Sequence, residues 1–109
     1  MQRDKAYFFD IADSAKLAVE YLSDIPYEEF LHATAIQDAV IRRIEIIGEA
    51  ANRVSKESKS KHSHLPWKEM KGMRNLLIHE YDLIDLKDVW DTVKNDLPNL
   101  IHEIDKILQ

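Results

Sequence analysis

The residues best suited to chemistry in this chain fall within ten positions. The stretch GMRNLLIHEY at 72–81 brings Arg74, Asn75, His79 and Tyr81 close together, with Lys71 just before it. An arginine offers a planar, permanently charged fork that matches phosphate oxygens. A histidine titrates near neutral pH and can move a proton. A tyrosine contributes a ring for base stacking and a hydroxyl. This set suits phosphodiester work. RNA carries its own nucleophile, the 2′-hydroxyl, so its cleavage needs proton transfer and charge stabilisation but no metal and no cofactor. The same residues also have quieter uses. A histidine near a helix C-terminus answers the dipole, an arginine on a helix is commonly a paired surface charge, and a tyrosine commonly packs with its hydroxyl satisfied. The pair His62-x-His64 sits in a polar stretch without a nearby third ligand, so no metal site is expected there.

These residues need a helix to hold them. Pro66 suits the first turn of one, because its missing N–H is not needed there. Trp67, Met70, Met73 and Leu77 then recur as a helical stripe that ends near 79–83. On an ideal helix Arg74 and Tyr81 share a face, while His79 lies roughly 140° from Arg74. Both groups therefore serve one pocket only if the helix loosens, if the groove is wide, or if a two-fold axis supplies a second copy of each.

Other helices surround this one. Phe8, Ile11, Ala15, Ala18 and Leu22 mark a first helix from Asp4 to about Ser23, and Pro26 stops any continuation. The longest segment runs from about Phe30 to Ser55. Ile36, Val40, Ile47, Ala51 and Val54 form one stripe there, and Ala39, Ile46 and Ala50 form a second beside it. So wide an arc predicts contacts on two sides, such as a bundle core and a partner subunit, with Gly48 allowing close approach. Arg43 interrupts the first stripe, which fits either a structural ion pair or a functional cleft. The stretch SKESKSKHSHL at 55–65 reads as an exposed loop or frayed helix end. Asp85 caps a further helix with Asp88 in its first turn, and Leu86, Val89, Trp90, Val93 and Leu97 line it. Pro98 kinks or restarts the chain before a last helix lined by Leu100, Ile101, Ile104 and Leu108. No strand-period alternation and no internal repeat is visible. The expected fold is an all-α bundle of four or five helices in one domain spanning 1–109.

Composition narrows the function classes. The 109 residues include 45% hydrophobic and 32% charged residues, a globular rather than disordered balance. Cysteine is absent, which excludes a disulfide framework, thiolate zinc sites and cysteine nucleophiles. No apolar run approaches the roughly 20 residues of a membrane helix and no signal peptide is visible, so the expected address is the cytoplasm. The net charge of −5 counts against indiscriminate nucleic-acid binding but leaves room for a local basic groove around Lys68, Lys71 and Arg74.

The pattern Arg74-x4-His79-x-Tyr81 resembles the signature of the HEPN superfamily, specifically the HepT-like ribonucleases. AVIRRIEIIGEAANRVSKE at 39–57, LPWKEMKGMRNLLIHEYDLID at 65–85 and VWDTVKNDLPNL at 89–100 are similar to that family in order and spacing. The resemblance implies an all-α homodimer with an RNA-cleaving groove at the two-fold interface. It implies a metal-independent endoribonuclease, the toxin of a toxin–antitoxin pair of type VII, with Arg74 and His79 as catalytic residues. Lys71 and Asn75 would support RNA binding, and Tyr81 would shape the groove. The implied antitoxin is a minimal nucleotidyltransferase of the MntA type, which silences the toxin by attaching AMP to Tyr81. The alternative, from another class, is a non-catalytic binding partner of such a nucleotidyltransferase.

Overall fold

The computed structural model describes the backbone of residues 2–79 and 84–109 and the side chains of residues 3–73 and 84–109. Among the described residues there are helices and turns and no strand. The chain is all-α, as its periodicity predicts. Helix α1 spans Gln2–Tyr21, and its stripe Phe8, Ile11, Ala15 and Ala18 is buried, as is Leu22 in the turn that follows. Helix α3, Thr34–Arg53, buries Val40, Ile44, Ile47, Gly48, Ala50 and Ala51. Helix α5 spans Trp67–His79. Helices α6, Leu86–Asp91, and α7, Leu97–Leu108, complete the bundle. Helix α1 packs between α3 and α7, and α5 lies along the other side of α3.

That arrangement explains the wide apolar arc of α3 without a second subunit. Its two sides are taken by α1 and α5 of the same chain. Ala50 and Ala51 are 5% and 1% exposed, so they belong to the protomer core. Of the second stripe, only Ala39 and Ile46 stay half-buried, with Arg43 between them on the same row.

Three boundaries differ from the sequence reading, each for a local reason. The long helix does not begin at Phe30. A single turn, α2, Tyr27–Phe30, follows Pro26, and the chain then breaks before Thr34. Phe30 is fully buried against Trp90, with ring centroids 5.4 Å apart. Gln37 holds the break by donating its side-chain amide to the Phe30 carbonyl at 2.8 Å. Pro98 does not restart the chain. A π-helical stretch, Thr92–Asp96, joins α6 directly to α7. Proline lacks an N–H and its ring crowds the carbonyl four residues earlier, and a widened turn accommodates both. Lys94, in this stretch, donates to the Leu22 carbonyl at 2.8 Å and so closes the end of α1.

The third difference is the polar segment at 55–65, half of which is helix. Helix α4 spans Lys56–Lys61, and the Ser55 hydroxyl caps it by accepting from the Ser58 N–H at 3.1 Å. The cap is locked from a distance. The buried Asp4 carboxylate accepts from the Ser55 N–H at 3.0 Å and from the hydroxyls of Ser55 and Ser58, both at 2.6 Å. These hydrogen bonds favour the charged form and bring the Asp4 pKa down to about 2.

A carboxylate whose pKa is depressed on folding adds stability above its unfolded value and loses it as pH falls toward the folded one. The Asp4 contribution is therefore expected to be complete above about pH 5 and lost progressively toward pH 2. Discounted for nearby solvent, it amounts to about 1–2 kcal/mol. Asp4→Ala is expected to lower the melting temperature by roughly 10 °C at pH 7 and by about half as much at pH 3. Thermal melts of both proteins across that range check this. An equal gap at both pH values would show that the carboxylate charge is not what holds α4.

Candidate functional site

Helix α5 carries the chemistry-bearing positions, and its start is firmly anchored. The Trp67 indole N–H donates to the His62 carbonyl at 2.9 Å, and its ring packs on Phe8 of α1 at 6.0 Å. The Lys59 ammonium lies over the Trp67 ring, 5.7 Å from its centroid. Met70, one turn further, is fully buried and ties the helix to the core. Burial beside Phe8, together with the neighbouring charges of Lys61 and His64, pushes the His62 imidazole below its ordinary range. His62 is therefore neutral at pH 7 and serves as packing. His64 instead faces Glu103 at 3.6 Å.

The backbone of α5 continues unbroken to His79, so Arg74, Asn75 and His79 lie on one helix with Lys71. Lys71 is exposed. The side chains of Arg74, Asn75 and His79, and Tyr81 altogether, lie outside the described residues. Register alone places positions 67, 71 and 74 along one row, and positions 72, 75 and 79 along a neighbouring one. Gly72 is exposed, and a Cβ there would meet nothing within 4 Å. No described neighbour in the chain needs a glycine at that point.

The flank of α5 turned away from Lys71 faces a cavity of about 280 Å³ lined by Pro66, Glu69, Met73, Asn95, Asp96 and Leu100, among others. Its acids, Glu69 and Asp96, make it unsuited to a phosphate. Among the described residues no group of three or more histidine or carboxylate side chains could hold a metal ion. No described helix is long and apolar enough to cross a membrane.

The sequence profile of the family described as ribonuclease HepT-like matches residues 11–107. The chain belongs to this family. HepT-like proteins fall within the HEPN superfamily, and the all-α bundle agrees with that membership. A Methanocaldococcus jannaschii protein bearing the name "putative RNase" is 44% identical over 101 residues, covering 93% of both chains. A Thermococcus cleftensis protein named "probable ribonuclease HepT" is 42% identical over 103 residues, covering 94% of both. A third, from Caldanaerobacter subterraneus and again named "putative RNase", is 36% identical over 109 residues, covering all of this chain and 97% of its own. No solved structure matches the chain. In this HepT-like protein the profile takes in α3, α5 and the α6–α7 unit, so it contains every candidate site residue.

The polar segment at 55–65, expected as an exposed loop or frayed helix end, carries a short capped helix with Lys59 set over Trp67 at the start of α5. The sequence held a signal for it in Ser55, a good N-cap residue, standing directly before a run with few helix breakers.

Proposed function

We propose that this HepT-like protein is a metal-independent endoribonuclease, the toxin of a type VII toxin–antitoxin pair. The observation that carries the reading is the family match over residues 11–107, which includes Arg74-x4-His79-x-Tyr81. The 2′-hydroxyl of RNA attacks the adjacent phosphorus, the 5′-oxygen leaves, and a 2′,3′-cyclic phosphate results. Arg74 holds the scissile phosphate and stabilises the charge of the pentavalent transition state. His79 acts as general acid or base. Lys71 and Asn75 support RNA binding, and Tyr81 shapes the groove. A nucleotidyltransferase antitoxin of the MntA type silences the enzyme by attaching AMP to Tyr81. The test is expression with and without that antitoxin, scored for growth arrest, together with cleavage of RNA by the purified chain in EDTA. A folded chain with neither effect overturns the reading and leaves a non-catalytic partner in its place.

The site is completed across a homodimer. Positions 74 and 79 diverge by roughly 140° on α5, and a two-fold axis beside the helix brings a second copy of each into reach. We assign this contact to the half-buried row Ala39, Arg43 and Ile46 on α3. Ala39→Glu combined with Ile46→Glu is expected to shift the protein from dimer to monomer at micromolar concentration, read by sedimentation. Ala50→Glu cannot make this test, because Ala50 is buried inside the protomer. A wild-type monomer at that concentration would sink the proposal.

A further inference from the structure

The charge of this chain is sharply segregated. Six of its fifteen lysines and arginines, but only two of its twenty acids, lie in residues 53–71, so that stretch carries +4 while the rest carries −9. The stretch spans α4 and the first turns of α5. Elsewhere four cations are matched to acids: Lys16 to Asp105, Arg42 to Glu45 and Glu49, Lys87 to Asp91, and Lys106 to Glu103. Among the described residues no ion pair joins a carboxylate to Lys56, Lys59, Lys61, Lys68 or Lys71.

Three of these lysines, Lys56, Lys59 and Lys71, fall in line. Lys56 and Lys59 are one turn apart on α4, on a side different from the one where Ser58 meets Asp4. Lys59 reaches over the Trp67 ring, and Trp67, Lys71 and position 74 follow at i, i+4 and i+7 along α5. The two acids of the segment lie off this line: Glu57 is two residues from Lys59, and Glu69 lines the cavity on the far flank of α5. A row of cations spaced about one helical turn apart, interrupted by an aromatic ring, fits the backbone of a single strand better than an isolated anion.

We propose that Lys56 and Lys59 of α4, continuing through Trp67 to Lys71, form a phosphate-tracking surface that leads single-stranded RNA to the position-74 end of α5. The proposal rests on the ribonuclease reading. It assigns to the 55–61 segment the task of concentrating RNA on an otherwise acidic body, which would repel it.

The test uses the full chain and a fluorescent 2′-O-methyl oligonucleotide, which binds but offers no free 2′-hydroxyl for attack. Affinity is measured by anisotropy from 50 to 200 mM KCl. Each phosphate neutralised on a single strand contributes about 0.7 to the slope of log affinity against log salt. The double variant K56Q/K59Q is expected to flatten the slope by about 1.4 and to weaken binding at 50 mM at least about tenfold. K56R/K59R keeps the charges and is expected to retain the wild-type slope, and circular dichroism melts verify that both variants fold. An unchanged slope in K56Q/K59Q, with a wild type that binds and cleaves RNA, overturns this surface and leaves the ribonuclease reading standing. Intact RNA binding with lost retention of the nucleotidyltransferase would reassign the surface to an acidic protein partner. A wild type that neither binds the oligonucleotide nor cleaves unmodified RNA defeats the ribonuclease reading, and the surface with it.

Discussion

Arg74→Ala and His79→Ala are each expected to lower RNA cleavage by at least about 100-fold, while both proteins remain folded. A hundredfold corresponds to about 2.7 kcal/mol of transition-state stabilisation, the scale of losing one charge-stabilising donor or one general acid–base group. The two losses differ in kind. Arg74→Lys keeps the charge but not the planar two-pronged fork, so it is expected to recover only part of the activity. His79→Ala removes the one imidazole of the motif, the side-chain type suited to proton transfer near neutral pH, so its residual activity is expected to lose the pH dependence of the wild type in that range. Folding should survive because the core of α5 rests on Met70, with Trp67 fastened to His62 and Phe8. EDTA is expected to leave wild-type cleavage unchanged. Loss of cleavage on chelation, restored by zinc or magnesium, would show that a metal rather than the histidine carries the reaction. Single-turnover assays on a defined oligonucleotide, with the cyclic phosphate identified by mass, decide these points.

Tyr81→Phe is expected to leave the chain toxic while freeing it from its antitoxin. The substitution keeps the ring and removes only the oxygen that would accept AMP. On the proposed reading, AMP attached to Tyr81 would add negative charge two residues from His79 and close in sequence to Arg74, where it would compete with the phosphate of RNA. The adenosine would then occupy groove volume, so that one modification would block both binding and catalysis. Co-expression with the nucleotidyltransferase is expected to rescue growth for the wild type and fail for Tyr81→Phe, with a matching mass increase at Tyr81 in the wild type alone. A fully neutralised wild-type complex with unmodified Tyr81 would mean that the antitoxin works by simple occlusion.

Much of the architecture was legible before folding because helices advertise themselves locally. The stripe Phe8, Ile11, Ala15, Ala18 and Leu22 marked α1, and the same five residues are buried. Asp85 marked the start of α6 and does cap it, accepting from the Lys87 N–H at 2.9 Å. The candidate site was equally local. Lys71, Arg74, Asn75 and His79 were read onto one helix, and the backbone of α5 carries all four positions. Family membership follows from the same linear order of blocks, with no need of coordinates.

The tertiary structure decided what depends on residues far apart in the chain. Nothing near Ser55 announces that Asp4, 51 positions earlier, locks its helix. A lone acid in the first turn of α1 reads as a dipole partner until folding brings α4 beside it. The width of the α3 arc was visible, but periodicity measures how much surface is apolar and not what covers it. Two flanking helices of the same chain and a partner subunit leave the same pattern in sequence, and only packing showed that α1 and α5 both lie against α3 and that Ala50 and Ala51 are buried within the protomer. The basic line from α4 to α5 has the same origin. Lys59 and Trp67 are separated by a turn whose path the sequence does not specify, and it is the fold that sets the ammonium over the ring. Local periodicity chooses the elements, because each depends on neighbours a few residues away. Long-range packing chooses which faces meet, because that free energy exists only once the chain has closed on itself.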